Sequence, residues 1–251
     1  MSMTEDGGSL SLGKRRAAKR GGRAVRVAAG LRGASKSAST GLLMSSEDWD
    51  RLWHRDPLSW VRPGTREKLG ARQHYVDWVT QLLGGIDCTG FSSAELGCGT
   101  GLVTCGLQDQ RGFSSGVLVD FSREAVKIAA HNVRGRNIRV VRNDVLAWQT
   151  EERFDLVYSI GLIEHFLGDA LEAIVHKHAS LLKPGGYAII IVPQRSLLWP
   201  VLRLLNTAQG IREEPLRGRN LVALCEKVGL KVVRLKRFLL GISIGIVAQR
   251  L

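Results

Sequence analysis

The stretch that decides the fold reads Ala94-Glu95-Leu96-Gly97-Cys98-Gly99-Thr100-Gly101. A carboxylate closes an apolar segment, and three glycines follow at alternating positions. Glycine takes positive φ without strain and has no Cβ, so such a turn lets the backbone approach a ligand closely. The dinucleotide fingerprint G-x-G-x-x-G fits less well, because Leu102 stands where that motif requires Gly or Ala. The stretch therefore predicts a ligand-binding turn between a strand and a helix, with a dinucleotide loop as the weaker alternative.

Length and composition are those of an ordinary globular protein. The 251 residues suffice for one sizeable α/β domain and a tail, and 44% of them are hydrophobic. No apolar run reaches the roughly 18 residues of a transmembrane helix. The four cysteines show neither metal-ligand nor disulfide spacing, which is typical of a reducing compartment. We therefore expect a cytoplasmic protein with no transmembrane segment and no metal site.

The basic charge is concentrated at the N-terminus. Residues 1–46 hold nine Lys/Arg against two acidic residues, within a chain of net charge +13. Because this segment is rich in Gly, Ser, Ala and Arg, we predict a disordered basic tail over residues 1–44. Weak contact with nucleic acid, contact with an anionic membrane and organellar targeting are the alternatives to a merely solvated tail.

A helical cap is predicted between the tail and the main domain, over residues 45–88. Ser45 is a candidate helix cap with Asp48 three residues later, and a second helix is predicted over residues 65–83. Several aromatic residues of this segment are candidates for a lid over a binding site, with ordinary core packing as the alternative. They are Trp49, Trp53, Trp60 and Tyr75.

From residue 89 to residue 251, predicted strands alternate with single helices. The strands are expected at 91–96, 115–120, 138–141, 154–160, 187–192, 231–238 and 242–249. Strands separated by single helices form a parallel sheet, whereas the short connection between the last two favours antiparallel pairing. We therefore predict an α/β fold: a Rossmann-like, doubly wound sheet of seven strands, mostly parallel with an antiparallel last strand, and helices on both faces. A lid-like insertion is expected near residues 195–216.

Acidic residues follow two of the predicted strands. Ligands bind outside the carboxyl ends of such strands, near the point where the strand order reverses. Asp120 can accept hydrogen bonds from both hydroxyls of a ribose, and Asp144 can accept from an adenine amine while Val145 donates its N–H. The helix that starts near Leu102 directs its N-terminal N–H groups at a carboxylate. With Glu95 and the glycines, these residues describe a site for one adenosine-bearing ligand.

Residues 90–250 resemble the class I S-adenosylmethionine-dependent methyltransferases of the broad small-molecule type (type 11-like). The glycine stretch is similar to motif I of that family, and three later segments match its strand, loop and turn motifs in order: Phe154–Ser159, Gly161–Phe166 and Leu182–Gly186. The resemblance implies S-adenosylmethionine as cofactor and a small-molecule methyl acceptor. The implied cofactor-binding residues are Glu95, Gly97, Cys98, Gly99, Gly101, Asp120, Phe121, Asp144, Val145 and Ser159.

Two adjacent residues of the matching loop are candidates for catalysis. Methyl transfer from a sulfonium needs alignment more than acid–base chemistry, but a hydroxyl or ammonium acceptor must lose a proton. His165 is the best-placed base and Glu164 can hold the acceptor, although adjacent residues do not both point the same way. The pair also resembles the loop of ubiquinone-biosynthesis O-methyltransferases, in which further acidic residues help to bind a divalent metal. Gly161 stands where that loop would supply an extra Glu, so no metal is predicted.

Three functions remain open at this point. The first is methylation of a small molecule at oxygen or nitrogen. The Leu, Trp and Arg residues of the 195–216 insertion suit contact with a lipophilic acceptor or with a membrane surface, and an ordinary buried helix is the alternative. The second is nucleic-acid methylation, against which the segment Ser159-Ile160-Gly161-Leu162 lacks the D/N-P-P-Y pattern used on bases. The third is a non-catalytic scaffold that binds the cofactor.

Overall fold

A computed structural model describes residues 27–29, 41–55 and 66–251. The strands are β1 (Val27–Ala29), β2 (Ser92–Leu96), β3 (Ser115–Asp120), β4 (Ile138–Arg142), β5 (Phe154–Ile160), β6 (Leu182–Pro193), β7 (Leu230–Phe238) and β8 (Ser243–Arg250). The helices are α1 (Ser46–Arg55), α2 (Arg66–Leu83), α3 (Leu102–Arg111), α4 (Arg123–Asn132), α5 (Asp169–Leu181), α6 (Trp199–Ala208) and α7 (Gly218–Lys227). Two 3-10 turns cover Ile163–His165 and Leu239–Gly241.

The strands form one twisted sheet in the order β1-β4-β3-β2-β5-β6-β8-β7. The pairs from β1 through to β6 are parallel, and β8 runs antiparallel to both β6 and β7. The predicted doubly wound sheet with an antiparallel last strand is therefore confirmed, and β1 adds a short strand at one edge. The strand order reverses between β2 and β5, which brings the carboxyl ends of both strands to one crevice.

Helices cover both faces of the sheet because the central strands are buried on both sides. On one face α5 and α7 pack on apolar side chains such as Val157 and Ile190, and on the other α2 and α3 pack on Leu156 and Ile189. Successive strand residues point to opposite faces, so neighbouring residues belong to different clusters. The same alternation determines which strand residues reach the candidate site.

The segment before β6 differs in detail from the prediction. Pro184-Gly185-Gly186 is expected as a turn before a strand at 187–192, whereas β6 begins at Leu182 and pairs there with Phe154. A Cβ on Gly186 would lie 3.0–3.1 Å from backbone oxygens of residues 154, 155 and 183. The glycine thus lets β6 pass its neighbour at the irregularity in the pairing.

The N-terminal segment is fastened to the domain from residue 41 onward. Ser45 caps α1 as predicted: its Oγ accepts from the Asp48 N–H at 3.2 Å, and the Asp48 carboxylate accepts from the Ser45 N–H at 2.9 Å. Leu42 bridges to Phe166, and Met44 is buried. Of the tail predicted as disordered, the structure thus orders residues 41–44 and β1; the rest of it lies outside the described residues, and so does Trp60. The predicted domain boundaries stay predictions.

No helix among the described residues combines the length and apolarity needed to cross a membrane.

Candidate active site

A cleft opens at the carboxyl ends of β2 to β5, where the strand order reverses. Of the predicted site residues, its wall contains Glu95, Gly97, Cys98, Gly99, Asp120, Phe121, Asp144, Val145 and His165. Its other lining residues are mostly apolar: Leu42, Trp49, Trp53, Tyr75, Val103, Ile160, Gly161, Leu162 and Phe166. The predicted residues Gly101, Ser159 and Glu164 are not part of the wall. The topology therefore gathers side chains from distant segments into one space.

The three glycines of the turn have φ of +66° (Gly97), +51° (Gly99) and +69° (Gly101). A Cβ on Gly97 would lie 2.7 Å from Leu162 Cδ1, and one on Gly99 would lie 3.1 Å from the Trp53 ring. Side chains at these two positions would collide with residues of the cleft wall, so only bare backbone lets the turn form this part of the wall. Gly101 has another role, because its Cβ would lie 2.5 Å from Leu118 Cδ1, on the side where α3 and α4 pack.

The carboxylate of Asp120 is buried at the end of β3. Its Oδ2 accepts from the Gly99 N–H and its Oδ1 from the Ser122 N–H, both at 2.9 Å. Burial raises the pKa of Asp120 to about 6, although these hydrogen bonds act in the opposite direction. A carboxylate has about four acceptor positions. Asp120 thus fastens the glycine turn and retains positions for the hydroxyls of a ligand.

Glu95 lies at the base of the cleft and is held by two hydroxyls. Its Oε2 accepts from Thr104 Oγ1 at 2.5 Å and from the Tyr158 hydroxyl at 3.4 Å. Thr104 is in α3, whereas Tyr158 stands beside Glu95 in the register of β2 and β5. Sequence analysis missed both residues, because only strand pairing shows that position 158 adjoins position 95. The two hydroxyls therefore position Oε2 of this buried carboxylate.

Asp144 both shapes a local turn and lines the cleft. Its Oδ1 accepts from the Leu146 N–H at 2.8 Å, and its carbonyl accepts from the Trp148 N–H at 2.8 Å. These bonds form a local turn, in which Asp is common. The residue also lines the cleft, next to the buried Val145. The turn therefore presents the carboxylate at the same edge as Asp120.

His165 reaches the cleft from the 3-10 turn after β5. Its Nδ1 lies 2.6 Å from the carbonyl oxygen of Arg212, and its ring meets the Trp49 ring edge-on with centroids 5.1 Å apart. A carbonyl only accepts, so Nδ1 carries the proton and Nε2 keeps its lone pair. Burial lowers the pKa of His165 to about 4. The imidazole is thus neutral at physiological pH and has a free lone pair on Nε2, while the same burial disfavours the imidazolium that forms when it accepts a proton.

Glu164 is not part of the cleft wall, although its Oε1 lies 3.4 Å from the position that a Cβ on the wall residue Gly161 would take. It is buried, its Oε2 has no hydrogen-bond partner, and burial raises its pKa well above the ordinary value. The predicted role of Glu164 in holding the acceptor stays a prediction. Glu164, His165 and Glu213 each have a potential ligand atom within 4.8 Å of the others, so this group is able to hold a cation. The predicted absence of a metal stays a prediction.

Ser159 lies behind the cleft rather than in it. Its fully buried hydroxyl is 2.9 Å from His178 Nε2, while His178 Nδ1 is 2.8 Å from the Ile174 carbonyl in α5. The carbonyl requires a proton on Nδ1, so the Ser159 hydroxyl donates to Nε2. Because side chains alternate along β5, the next residue, Ile160, reaches the cleft instead. The Ser159 hydroxyl is thus engaged behind the cleft, and the predicted cofactor contact of this residue stays a prediction.

The helix α1 covers part of the cleft with Trp49 and Trp53. Its Asp50 accepts from Ser122 Oγ at 2.6 Å and from the Glu124 N–H at 3.2 Å, which fastens α1 to the start of α4. Sequence analysis missed Asp50, because its partners are more than 70 positions away in the chain. With Tyr75 of α2 also in the wall, three of the four predicted lid aromatics line the cleft.

The chain is similar to a family of known proteins. The family model described as a methyltransferase domain matches residues 71–235, which is more than half of the chain. The chain belongs to the class I methyltransferases. The predicted family and its cofactor, S-adenosylmethionine, are thereby confirmed. No curated protein matches the chain in sequence.

Several solved structures, including two methyltransferases, share the fold at low sequence identity. Magnesium protoporphyrin IX methyltransferase (ChlM) from Synechocystis PCC 6803 with bound SAH has a TM-score of 0.60 and 18% identity, over 82% of this chain and 94% of that one. The N-methyltransferase NodS from Bradyrhizobium japonicum WM9, in complex with S-adenosylhomocysteine, has a TM-score of 0.61 and 14% identity, over 82% and 98%. A protein from Pyrococcus horikoshii OT3 has a TM-score of 0.65 and 19% identity, over 80% and 99%.

Replacing Ser159 by alanine separates the two roles considered for this residue. We expect the Ser159→Ala variant to lose about 1–3 kcal/mol of unfolding free energy, because the buried His178 Nε2 loses its donor. Its affinity for S-adenosylmethionine should stay within about twofold of the wild-type value, since the hydroxyl faces away from the cleft. Urea denaturation and calorimetric titration measure the two quantities. Unchanged stability with a large loss of affinity would mean that Ser159 contacts the cofactor. The control is Ser180→Ala in α5.

Proposed function

We propose that this methyltransferase transfers the methyl group of S-adenosylmethionine to an oxygen or nitrogen of a small, lipophilic molecule, with His165 as general base. One observation carries the proposal: a neutral imidazole stands on the wall of the same cleft as the glycine turn and Asp120. The Arg212 carbonyl holds the proton on Nδ1, so the Nε2 lone pair is the one that accepts.

The residues of the cleft fit the cofactor. Gly97 and Gly99 present bare backbone to the cleft, where a Cβ would collide with Leu162 or Trp53, and Asp120 and Asp144 offer acceptors for hydroxyl and amine groups. When bound, S-adenosylmethionine supplies a methyl group on a positively charged sulfur. This chain's contribution is alignment of the acceptor, exclusion of water and removal of a proton.

The remaining wall supports an apolar acceptor. Trp49, Trp53 and Tyr75 close one side of the cleft, while Leu162 and Phe166 of the post-strand loop close another. Such a wall buries an apolar molecule favourably and keeps water from the reacting atoms. The acceptor's hydroxyl or amine is then the polar group that His165 meets.

Cofactor affinity should depend on pH through Asp120. Its ionised form accepts from hydroxyls, whereas the protonated form loses part of this capacity. With a pKa of about 6, Asp120 is ionised above pH 7, so affinity should be constant there and fall as the pH drops through 6. The limiting slope is about tenfold per pH unit. Calorimetric titrations at several pH values measure it, with circular dichroism to verify folding; a Kd that stays constant down to pH 5 would contradict the assignment.

The proposal is tested by incubating the full chain with S-adenosylmethionine and a panel of lipophilic phenols and amines. A methylated product detected by mass spectrometry, formed by the wild type and not by His165→Ala, would support it. Cofactor binding without transfer to any of these acceptors, but with transfer to RNA, would replace the small molecule by a nucleic acid. Binding without transfer to either class would favour the scaffold alternative.

A further inference from the structure

The helix α6 turns its apolar side toward solvent. Val201, Leu204, Leu205 and Ala208 are all exposed, and they recur at the spacing of one helical face. Leu204 alone is 71% exposed, whereas Trp199 is buried on the opposite side. An amphipathic surface helix normally has the reverse arrangement. The alternative of an ordinary buried helix for the insertion is therefore wrong, and its apolar face is left uncovered.

A second apolar segment protrudes at the same edge of the sheet. Leu239 and Leu240 have φ of +47° and +53°, a conformation that is costly for leucine, and the Leu240 side chain is fully exposed. The turn that contains them adjoins the start of the insertion, because the Gln194 N–H donates to the Ile242 carbonyl at 2.7 Å. The leucine face is defined here as Leu197, Leu198, Val201, Leu204, Leu205 and Leu240, which are all exposed.

Basic side chains outnumber acidic ones in the segments that carry the leucine face. Residues 195–216 contain three Arg and two Glu (Glu213 and Glu214), and residues 236–242 before and within the turn of Leu240 add Lys236 and Arg237 with no Asp or Glu. Arg195, Arg203 and Arg237 are exposed. Basic side chains beside an exposed apolar helix face are the pattern of segments that lie at the surface of an anionic bilayer.

We propose that the leucine face docks on an anionic lipid bilayer, with the leucines at the boundary between headgroups and acyl chains and the arginines near lipid phosphates. The charge pattern favours lipid over a second copy of the chain, because two copies would bring like charges together. The docking does not depend on methyl transfer, so it goes beyond the proposed function.

The insertion that carries the leucine face is connected to the candidate base. Asn206 of α6 donates to the Glu213 carboxylate, and the carbonyl of the neighbouring Arg212 accepts from His165 Nδ1 at 2.6 Å. The docking surface and the cleft therefore belong to one continuous region at the carboxyl edge of the sheet. A bilayer at this surface would bring membrane-dissolved molecules close to the cleft.

The test is co-sedimentation of the full chain with phosphatidylcholine vesicles that contain or lack phosphatidylserine, at physiological salt. The variant combines Leu204→Gln, Leu205→Gln and Leu240→Asn, since Asn tolerates positive φ. We expect the wild type to bind the anionic vesicles and the variant to bind at least about tenfold more weakly, because three exposed leucines no longer enter the bilayer. The matched control, Val233→Gln with Leu251→Gln, removes exposed apolar side chains outside the leucine face and should bind like the wild type.

The other outcomes of the vesicle experiment would overturn the proposal. Equal binding of variant and wild type would assign vesicle binding to another part of the chain, such as the basic tail. If the wild type does not bind vesicles, the bilayer is excluded as the partner. If, in addition, sedimentation velocity shows a wild-type dimer that becomes a monomer in the variant, the leucine face belongs to an interface with a second copy. If circular dichroism shows that the triple variant does not fold, Leu240→Asn alone is measured, because that side chain has no packing to lose.

Discussion

Replacing Asp120 by alanine should weaken binding of S-adenosylmethionine about 100-fold. Hydrogen bonds to a charged group contribute about 1.5–3 kcal/mol each, so losing the acceptor for ribose hydroxyls accounts for this factor. The same carboxylate holds the Gly99 N–H at 2.9 Å, so the variant also loosens the turn that cradles the ligand. Both effects act on affinity in the same direction.

Calorimetric titration of the full chain measures this effect, and Asp109→Ala is the matched control. Asp109 is an exposed carboxylate of α3 paired with Arg136, so its removal changes the net charge equally without touching the cleft. Asp120→Asn is the conservative variant, because its amide oxygen can still accept from the turn. A Kd for Asp120→Ala within threefold of the wild-type value would exclude Asp120 from the cofactor site.

Replacing His165 by alanine should lower kcat by about 10²–10⁴-fold while leaving cofactor affinity nearly unchanged. General base catalysis contributes an acceleration of this size, and His165 is the imidazole whose ring reaches the cleft. With a pKa of about 4, it stays neutral through the physiological range, so at saturating substrates kcat should lack the decline near pH 6.5 that an ordinary histidine produces.

The measurement is product formation at saturating cofactor and acceptor, once an acceptor is found. His131→Ala is the control, because His131 is exposed in the last turn of α4, away from the cleft. His165→Gln retains a hydrogen-bonding side chain but accepts no proton, so it should be as slow as the alanine variant. Full kcat in both variants would mean that the acceptor loses its proton to another group or to water.

The parts of the cleft that the sequence anticipated depend on local conformation and on strand ends, and the roles of these residues in cofactor binding stay predictions. Three alternating glycines indicated positive φ, and all three residues have it. The side chains of Asp120 and Asp144 follow strands of one parallel sheet, so they had to meet at one edge whatever the side-chain packing. These features need only the chain direction and the topology rules.

The sequence did not show which of two neighbouring residues faces the cleft. Ser159 and Ile160 are neighbours in the chain, but the alternation along β5 gives Ser159 to His178 and Ile160 to the cleft. When both faces of a buried strand are apolar, its sequence does not show which residues point to which face of the sheet. Gly101 likewise belongs to a turn of three similar residues, yet it packs on Leu118 instead of lining the cleft.

By itself the sequence determined the alternation of strands and helices, the ligand-binding turn and the acidic strand ends, because each depends on residues close together in the chain. Only the tertiary structure decided that Asp50 fastens α1 to Ser122, that the Arg212 carbonyl sets the protonation of His165, and that α6 faces solvent with its leucines. The first two contacts join residues 72 and 47 positions apart. Such pairs are set by how the elements pack, and an apolar helix face looks the same in sequence whether a core covers it or not.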